Sequence, residues 1–144
     1  MMDTKFSVAL HILTMISESR EVLSSQALAE SVGTNASYIR KVLALLKNAG
    51  LIVSSQGRSG YQLSKAPKDM TLLEIYFATQ EVDHIQLFQM HQHANQACPV
   101  GKNIEGAMSP IFTSLERDLE RELAGQTLEK LIANLYQEAK HNCI

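Results

Sequence analysis

A mainly α-helical fold with one small β-hairpin is the architecture this sequence predicts, and three observations predict it. Between Ser24 and Ser64 the chain spells, in order, a capped short helix, a turn, a second amphipathic helix and a glycine-tipped hairpin. Outward-facing cations are expected only on the parts that follow the turn. Beyond residue 99 an apolar seam recurs every three or four residues, for longer than one small domain can bury. Together these describe a winged helix-turn-helix DNA-binding domain, whose second helix lies in the major groove, followed by a long C-terminal dimerisation helix. The predicted division is residues 1–80 for the winged helix-turn-helix domain, 81–98 for a loop that is a candidate sensing region, and 99–144 for the helical dimerisation arm.

The N-terminal run TKFSVALHILTMISES reads as a helix with Phe6, Leu10, Leu13 and Ile16 on one face and Ala9 and Ile12 close by. It packs beneath the domain as core. His11 lies in that apolar run and is read as a helix histidine with a satisfied hydrogen bond rather than a ligand. Thr4 and Lys5, at the helix start, are candidate phosphate contacts.

The first helix of the motif is SQALAESV, with Ser24 or Ser25 as its N-cap and Gly33 as its left-handed C-cap. Thr34 and Asn35 then cap a second helix over residues 35–49. Its Ile39, Val42, Leu43 and Leu46 fall at i, i+3, i+4 and i+7 and form an inward face. The other face is Ser37, Tyr38, Arg40, Lys41, Ala44 and Lys47: three cations, no acid, and short side chains that let a backbone approach base edges.

The wing is LIVSSQGRSGYQLS, in which Leu51, Val53, Tyr61 and Leu63 alternate on two short runs and Gly57 and Gly60 bracket Arg58 and Ser59. An arginine at that tip reaches a phosphate or a narrow minor groove. Candidate DNA-binding residues are therefore Thr4, Lys5, Ser24, Ser25, Ser37, Tyr38, Arg40, Lys41, Lys47, Arg58 and Ser59.

Charge is partitioned in the same sense although the whole chain is slightly acidic, with a net of -2. Residues 1–65 hold seven Lys or Arg against four Asp or Glu, and residues 66–144 hold six against eleven. The N-terminal half is the electropositive half, so binding to DNA should weaken steeply with salt.

Downstream, Pro67 breaks the strand and MTLLEIYFATQE restarts a helix, with Thr71 and Glu74 at capping-box spacing and Leu72, Ile75 and Tyr76 inward. The irregular stretch 82–101 carries His84, His91, His93 and Cys98, and is expected to be a loop with at most one short helix or strand. Pro99 suits a first helical position and Cys98 an N-cap. Ile104, Met108, Ile111, Leu115, Leu119 and Leu123 then form the seam, and Glu116, Arg117, Asp118, Glu120, Arg121 and Glu122 a solvated outer face. Pro110 calls for a kink or for a fresh start capped by Ser109, because an interior proline costs about 3 kcal/mol. Gly125 closes the helix, and a last one runs through Leu128, Leu131, Ile132 and Leu135. A second copy of the chain is the economical partner for the seam, and two-fold pairing implies an imperfect palindromic operator. The alternative is an arm folded back as a monomeric core helix.

Other classes fall away. With no long apolar run and no cationic leader, neither a signal peptide nor a membrane span is expected, and the chain reads as cytoplasmic. The two cysteines, Cys98 and Cys143, make no disulfide framework. There is no glycine-rich phosphate loop and no serine elbow, so an enzyme is not expected.

The segments ISES, SSQALAESVGTNASYIRKVLALLKNAGLIVSSQGRSGYQLSKAP, MTLLEIY and CPVG resemble the Rrf-type bacterial regulators along essentially the whole chain. That family includes the iron-sulfur cluster regulator, the nitric-oxide-sensitive repressor and the cysteine-metabolism repressor, and CPVG and the arm are most similar to its YwnA-like branch. The resemblance implies a homodimeric transcription regulator, usually a repressor, with base and phosphate contacts at Ser37, Tyr38, Arg40 and Lys41 and a wing contact at Arg58. Two features depart from the family pattern. Ser59 replaces part of a glycine run in the wing, and the loop before the arm has Cys98 alone where cluster-binding members carry three closely spaced cysteines. No cofactor is expected, and an iron-sulfur cluster of ordinary ligation least of all. Cys98, His91 and His93 remain candidates for redox or ligand sensing, with a metal, a small molecule and a packed cysteine all open. The competing functional class is a winged-helix protein-interaction scaffold, or a metal- or redox-responsive one, without sequence-specific DNA binding.

Overall fold

The computed structural model describes residues 3–55 and 60–142. Helix α1 (Lys5–Glu18) is followed by α2 (Ser25–Val32), α3 (Ala36–Asn48), strands β1 (Ile52–Ser54) and β2 (Tyr61–Leu63), and helices α4 (Leu72–Gln80), α5 (Pro99–Ala124) and α6 (Leu128–Asn142). A single 3-10 turn, Pro67–Asp69, links β2 to α4. The fold is the expected mainly α winged helix with a two-stranded antiparallel wing and a long C-terminal helix.

The helix starts are set by side-chain caps. Ser24 accepts from the Ala27 N–H at 3.1 Å, which resolves the Ser24 or Ser25 alternative, and Asn35 accepts from the Tyr38 N–H at 2.8 Å. Gly33 ends α2 with φ +85, a conformation that costs glycine no Cβ clash. Thr71 and Glu74 close the reciprocal capping box of α4.

One apolar core holds the domain together. Ala9, Ile12 and Leu13 of α1, Leu28 of α2, Ile39, Val42, Leu43 and Leu46 of α3, and Ile75 of α4 are all buried in it, as are Leu128 and Ile132 of α6. The buried arc of α1 is rotated from the expected face. Val8, Ala9, Ile12 and Leu13 are covered, whereas Phe6, Leu10 and Ile16 are only half-buried at its edges.

The wing also departs from expectation. Register pairs Ile52 with Leu63, Val53 with Gln62 and Ser54 with Tyr61, and paired residues share a face. Ile52, not Val53, therefore joins the core, and Val53 is left 47% exposed beside Gln62. Leu51 and Ile52 are consecutive apolar residues, and Leu51 is buried from the turn before the strand, so alternation counted from Leu51 assigns Val53 to the wrong face.

Residues 81–98 form a loop with neither helix nor strand. It runs against α5, where Glu120 accepts the Ile85 N–H at 3.0 Å and Glu116 accepts the Leu87 N–H at 2.6 Å. Phe88 stacks on Phe112 at 4.9 Å between ring centroids. The reading of Glu116 and Glu120 as a solvated outer face is thus corrected: they accept hydrogen bonds from loop amides and hold the loop on α5.

Helix α5 is continuous through Pro110. Of the two alternatives, a kink or a fresh start capped by Ser109, the fresh start is absent, and the Ser109 hydroxyl donates back to the Glu105 carbonyl at 2.8 Å instead of capping. The carbonyl that proline leaves without a partner is that of Gly106, an exposed residue open to water. After Gly125 the chain turns back. Leu72 N–H donates to Gln126 and Leu128 N–H to Met70, each at 2.9 Å, so α6 docks on the domain that α5 left. The Tyr136 hydroxyl donates to Glu18 at the end of α1.

Candidate nucleic-acid interface

The candidate surface is built outward from the core face of α3. Four buried anchors, Ile39, Val42, Leu43 and Leu46, fix the roll of the helix. At about 100° per residue, Ser37, Arg40, Lys41, Ala44 and Lys47 then occupy an arc of roughly 120° on the opposite side. All five are exposed. Among the described residues no carboxylate lies within 4.0 Å of Arg40, Lys41 or Lys47, so their charge faces outward uncompensated.

Tyr38 differs from its expected place on that face. It is half-buried at the flank and packs on the core, and its hydroxyl lies 3.1 Å from the Thr4 hydroxyl. Thr4 is exposed and precedes α1 without a side-chain cap. Lys5 is ion-paired with Asp3 at 3.5 Å, and Asp3 also accepts the Lys5 N–H at 3.0 Å. Burial raises the Asp3 carboxyl, but the hydrogen bonds from Lys5 and Gln80 and the Lys5 charge outweigh it and leave the group below its ordinary value. Lys5 is therefore a compensated cation, unlike those of α3. Ser24 is exposed and engaged as a cap, and Ser25 is half-buried.

The wing continues from this surface. Ser55 N–H donates to Gly60 at 3.0 Å and closes the base of the hairpin. Gly60 takes φ +119, and a Cβ there would sit 2.0 Å from Val22, so the wing base lies directly on the α1–α2 loop. Arg58 and Ser59 lie outside the described residues.

The loop candidates His91, His93 and Cys98 form a second locality, at the start of α5. Backbone N–H groups of Gly101 and Val100 at the start of α5 hold the Cys98 thiol below its usual value, without closing a cap hydrogen bond. His91 and His93 are exposed and line a polar recess of about 440 Å³ with Lys102 and Glu105. Cys98 does not line it. His84 pairs with Asp83 at 2.9 Å, which raises its imidazole. Among the described residues no three His, Cys, Asp or Glu side chains come together in a way that holds a metal.

Sequence reasoning missed Asp3, Glu116 and Glu120. The signal for Glu116 and Glu120 was their i, i+4 spacing around Phe112 and Leu119, which puts both carboxylates beside an apolar strip.

Comparison with known proteins places this geometry. The chain matches the Rrf2 family, described as an iron-dependent transcriptional regulator, over residues 2–134. It is 40% identical over 136 residues to YwnA of Bacillus subtilis (strain 168), a candidate HTH-type transcriptional regulator, covering 94% of this chain and 100% of that protein. A crystal structure of a candidate DNA binding protein superposes with a TM-score of 0.72 at 38% identity, covering 89% of this chain and 98% of the other. CymR (YrzC), the global cysteine regulator of B. subtilis, shares the fold with a TM-score of 0.68 at 21% identity, over 92% and 96% of the two chains.

The iron in the family's description calls for a matching donor set. Iron-sulfur clusters are held by about four protein ligands, mostly cysteine thiolates. This chain has two cysteines, Cys98 and Cys143, the second outside the described residues, and the histidines near Cys98 do not converge on it. These residues do not fit a cluster of ordinary ligation. The matches run along nearly the full length, and the chain belongs to the Rrf2 family of DNA-binding transcriptional regulators.

Proposed function

We propose that this chain acts in the cytoplasm as a homodimeric repressor that reads an imperfect palindrome. In this reading α3 enters the major groove, with Arg40 on base edges and Lys41 and Lys47 on phosphates, while the wing carries Arg58 to the backbone or the minor groove. Ser37 and Ala44 are small enough to let the helix sit close. Thr4, Ser24, Ser25 and Tyr38 are the further phosphate contacts, Ser59 accompanies Arg58, and Lys5 joins them only when released from Asp3. The observation that carries the reading is the outer arc of α3: three exposed cations with no carboxylate partner among the described residues.

The homodimer is supported by α5, none of whose residues is buried in the single chain. Ile111 and Leu115 are 59% and 48% exposed along its seam. Pairing two such arms removes that surface from water and sets two recognition helices on one side of the duplex, about 34 to 36 Å apart or a multiple of that. A dimer seated across a promoter excludes polymerase by bulk, which is the repressor assignment.

The test is selection of duplexes from a random pool by the full chain, followed by footprinting and sedimentation. A two-fold-related footprint, a dimer in solution and derepression of the bound promoter on gene deletion are the expected results. Recovery of no preferred sequence, with binding insensitive to salt, overturns the reading in favour of a scaffold.

A further inference from the structure

Helix α6 covers α1 incompletely. Leu128 and Ile132 are buried against the domain, but one turn further on Leu131 is half-buried and Leu135 is 46% exposed. Across from them Leu10 and Met15 of α1 are likewise half-covered. Between these two pairs runs a groove of about 550 Å³, within the size range of small-molecule sites and too large to be a packing defect.

We propose that this groove between α1, the end of α2 and α6 binds a small uncharged amphiphile, with an apolar body and one hydrogen-bonding head, as the effector of this regulator. The chemistry of the lining selects that class. Leu10, Met15, Leu131 and Leu135 supply the apolar walls, and no Lys, Arg, Asp or Glu lines the groove. A phosphate or other strongly charged head would find no counter-charge among the lining side chains. The polar end is made by His11 and Ser31, whose side chains meet at 3.0 Å from Nε2 to Oγ, with Ser7 beside them. The Thr14 hydroxyl is already committed to the Leu10 carbonyl at 2.8 Å, so the head is left to the imidazole and the serines.

The position gives such a ligand a lever on DNA reading, and here the inference rests on the function proposed above. His11 also borders a second recess, formed by Val32, Gly33, Thr34 and Tyr38 at the turn of the helix-turn-helix. The His11–Ser31 bond joins α1 to the last turn of α2, two residues before the left-handed Gly33. A head group that competes for that bond acts on the turn that aims α3, and its body simultaneously packs on α6, the continuation of the arm.

The methionines make the test direct. In full-length protein carrying 13C-methyl methionine, Met15 reports the groove, Met70 the buried core, Met90 the loop and Met108 the arm. Phenol and indole are the uncharged probes, and phenyl phosphate is the charged comparator. The expected result is a saturable shift of the Met15 methyl alone with phenol and indole and none with phenyl phosphate. Leu135→Trp, a substitution at an exposed position, fills the groove and abolishes the shift, and His11→Ala weakens binding by about tenfold. Saturating indole should change operator affinity by about threefold or more in the native chain and leave Leu135→Trp unchanged. A response at Met90 or Met108 without Met15, binding unaffected by Leu135→Trp, or phenyl phosphate binding as tightly as phenol overturns the proposal. So does a Met15 shift that follows protein concentration instead of probe, which assigns the groove to a second copy. A groove that binds indole without altering DNA affinity overturns the effector role. A chain that binds indole at Met15 but no DNA overturns the proposed function and leaves the ligand site standing.

Discussion

Replacing Lys41 by alanine isolates the electrostatic part of DNA reading. Lys41 is exposed at the edge of the outer arc of α3, has no carboxylate partner among the described residues, and contributes nothing to the core. In a homodimer the substitution deletes two phosphate contacts. Each contact contributes about 0.9 to the slope of log K against log salt, so the slope should become shallower by about 1.8. At about 0.1 M salt the same term corresponds to a loss of roughly 60-fold in affinity, shrinking toward none near 1 M. Removing Lys41 and Lys47 together sets a ceiling of about 3.6 on the slope that the phosphate contacts of α3 can supply. The assay is fluorescence anisotropy on a selected duplex across a salt series, with circular dichroism to verify folding. Lys130→Ala is the control, since Lys130 is exposed on α6, away from this surface. An unchanged slope for Lys41→Ala, together with a shallower one for Lys130→Ala, would refute the assignment of the α3 face to DNA.

Asp3→Asn releases Lys5 from its carboxylate partner, and DNA affinity should rise, with a slope steeper by about 1.8 for the dimer in the same salt series. Leu46→Ala removes a fully buried side chain from the face that sets the roll of α3 and should cost about 2 to 5 kcal/mol in a urea titration. The Glu74 carboxyl, raised by burial but lowered further by the Lys65 ammonium and the Thr71 N–H, ends below its ordinary value of 4.5. A depressed folded-state value stabilises above the unfolded value and is lost as pH falls through the folded one, so Glu74→Gln should flatten the acid limb of a stability–pH curve below pH 4.5. In a Cys143→Ser background, alkylation of Cys98 should reach half its maximal rate below pH 9.0. Gly101→Ala should move that midpoint back up, because its Cβ would meet the Asn95 carbonyl at 2.4 Å and displace the turn.

The parts of the fold that sequence made legible are those governed by near neighbours. The caps at Ser24, Asn35 and Thr71, and the inward face of α3, depend on residues within about two turns, and period and capping chemistry are enough to place them. What stayed hidden depends on partners distant in sequence. The Tyr38 hydroxyl meets that of Thr4, 34 residues away, and Glu120 is occupied by an amide 35 residues away. Val53 was misassigned for a different reason: Leu51, Ile52 and Val53 are all apolar, so a period of two has no contrast to register against. The α1–α6 groove is illegible in principle from either helix alone, since its walls come from α1, α2 and α6 together.

The joint between arm and domain constrains where regulation can act. Thr71 caps α4 through Glu74 and also pairs with Thr127, so one residue fixes both the start of α4 and the return of the chain from α5. Flanking it are the two 2.9 Å bonds of Leu72 with Gln126 and Met70 with Leu128, and behind them lies the buried Leu128 side chain. Swinging the arm at this point would break paired backbone groups and expose a core leucine together, at a cost of several kcal/mol by about 1 kcal/mol per bond plus 2 to 3 for the side chain. Helix α5, at 26 residues, spans about 39 Å, close to one turn of the double helix. In the proposed homodimer the two reading heads are joined through two such rods, each on a stiff joint, and the crossing of the rods sets their separation. A signal that alters DNA affinity has two soft places left: the seam between the arms, and the half-covered contact of α6 with α1, where Leu135 and Met15 stand apart.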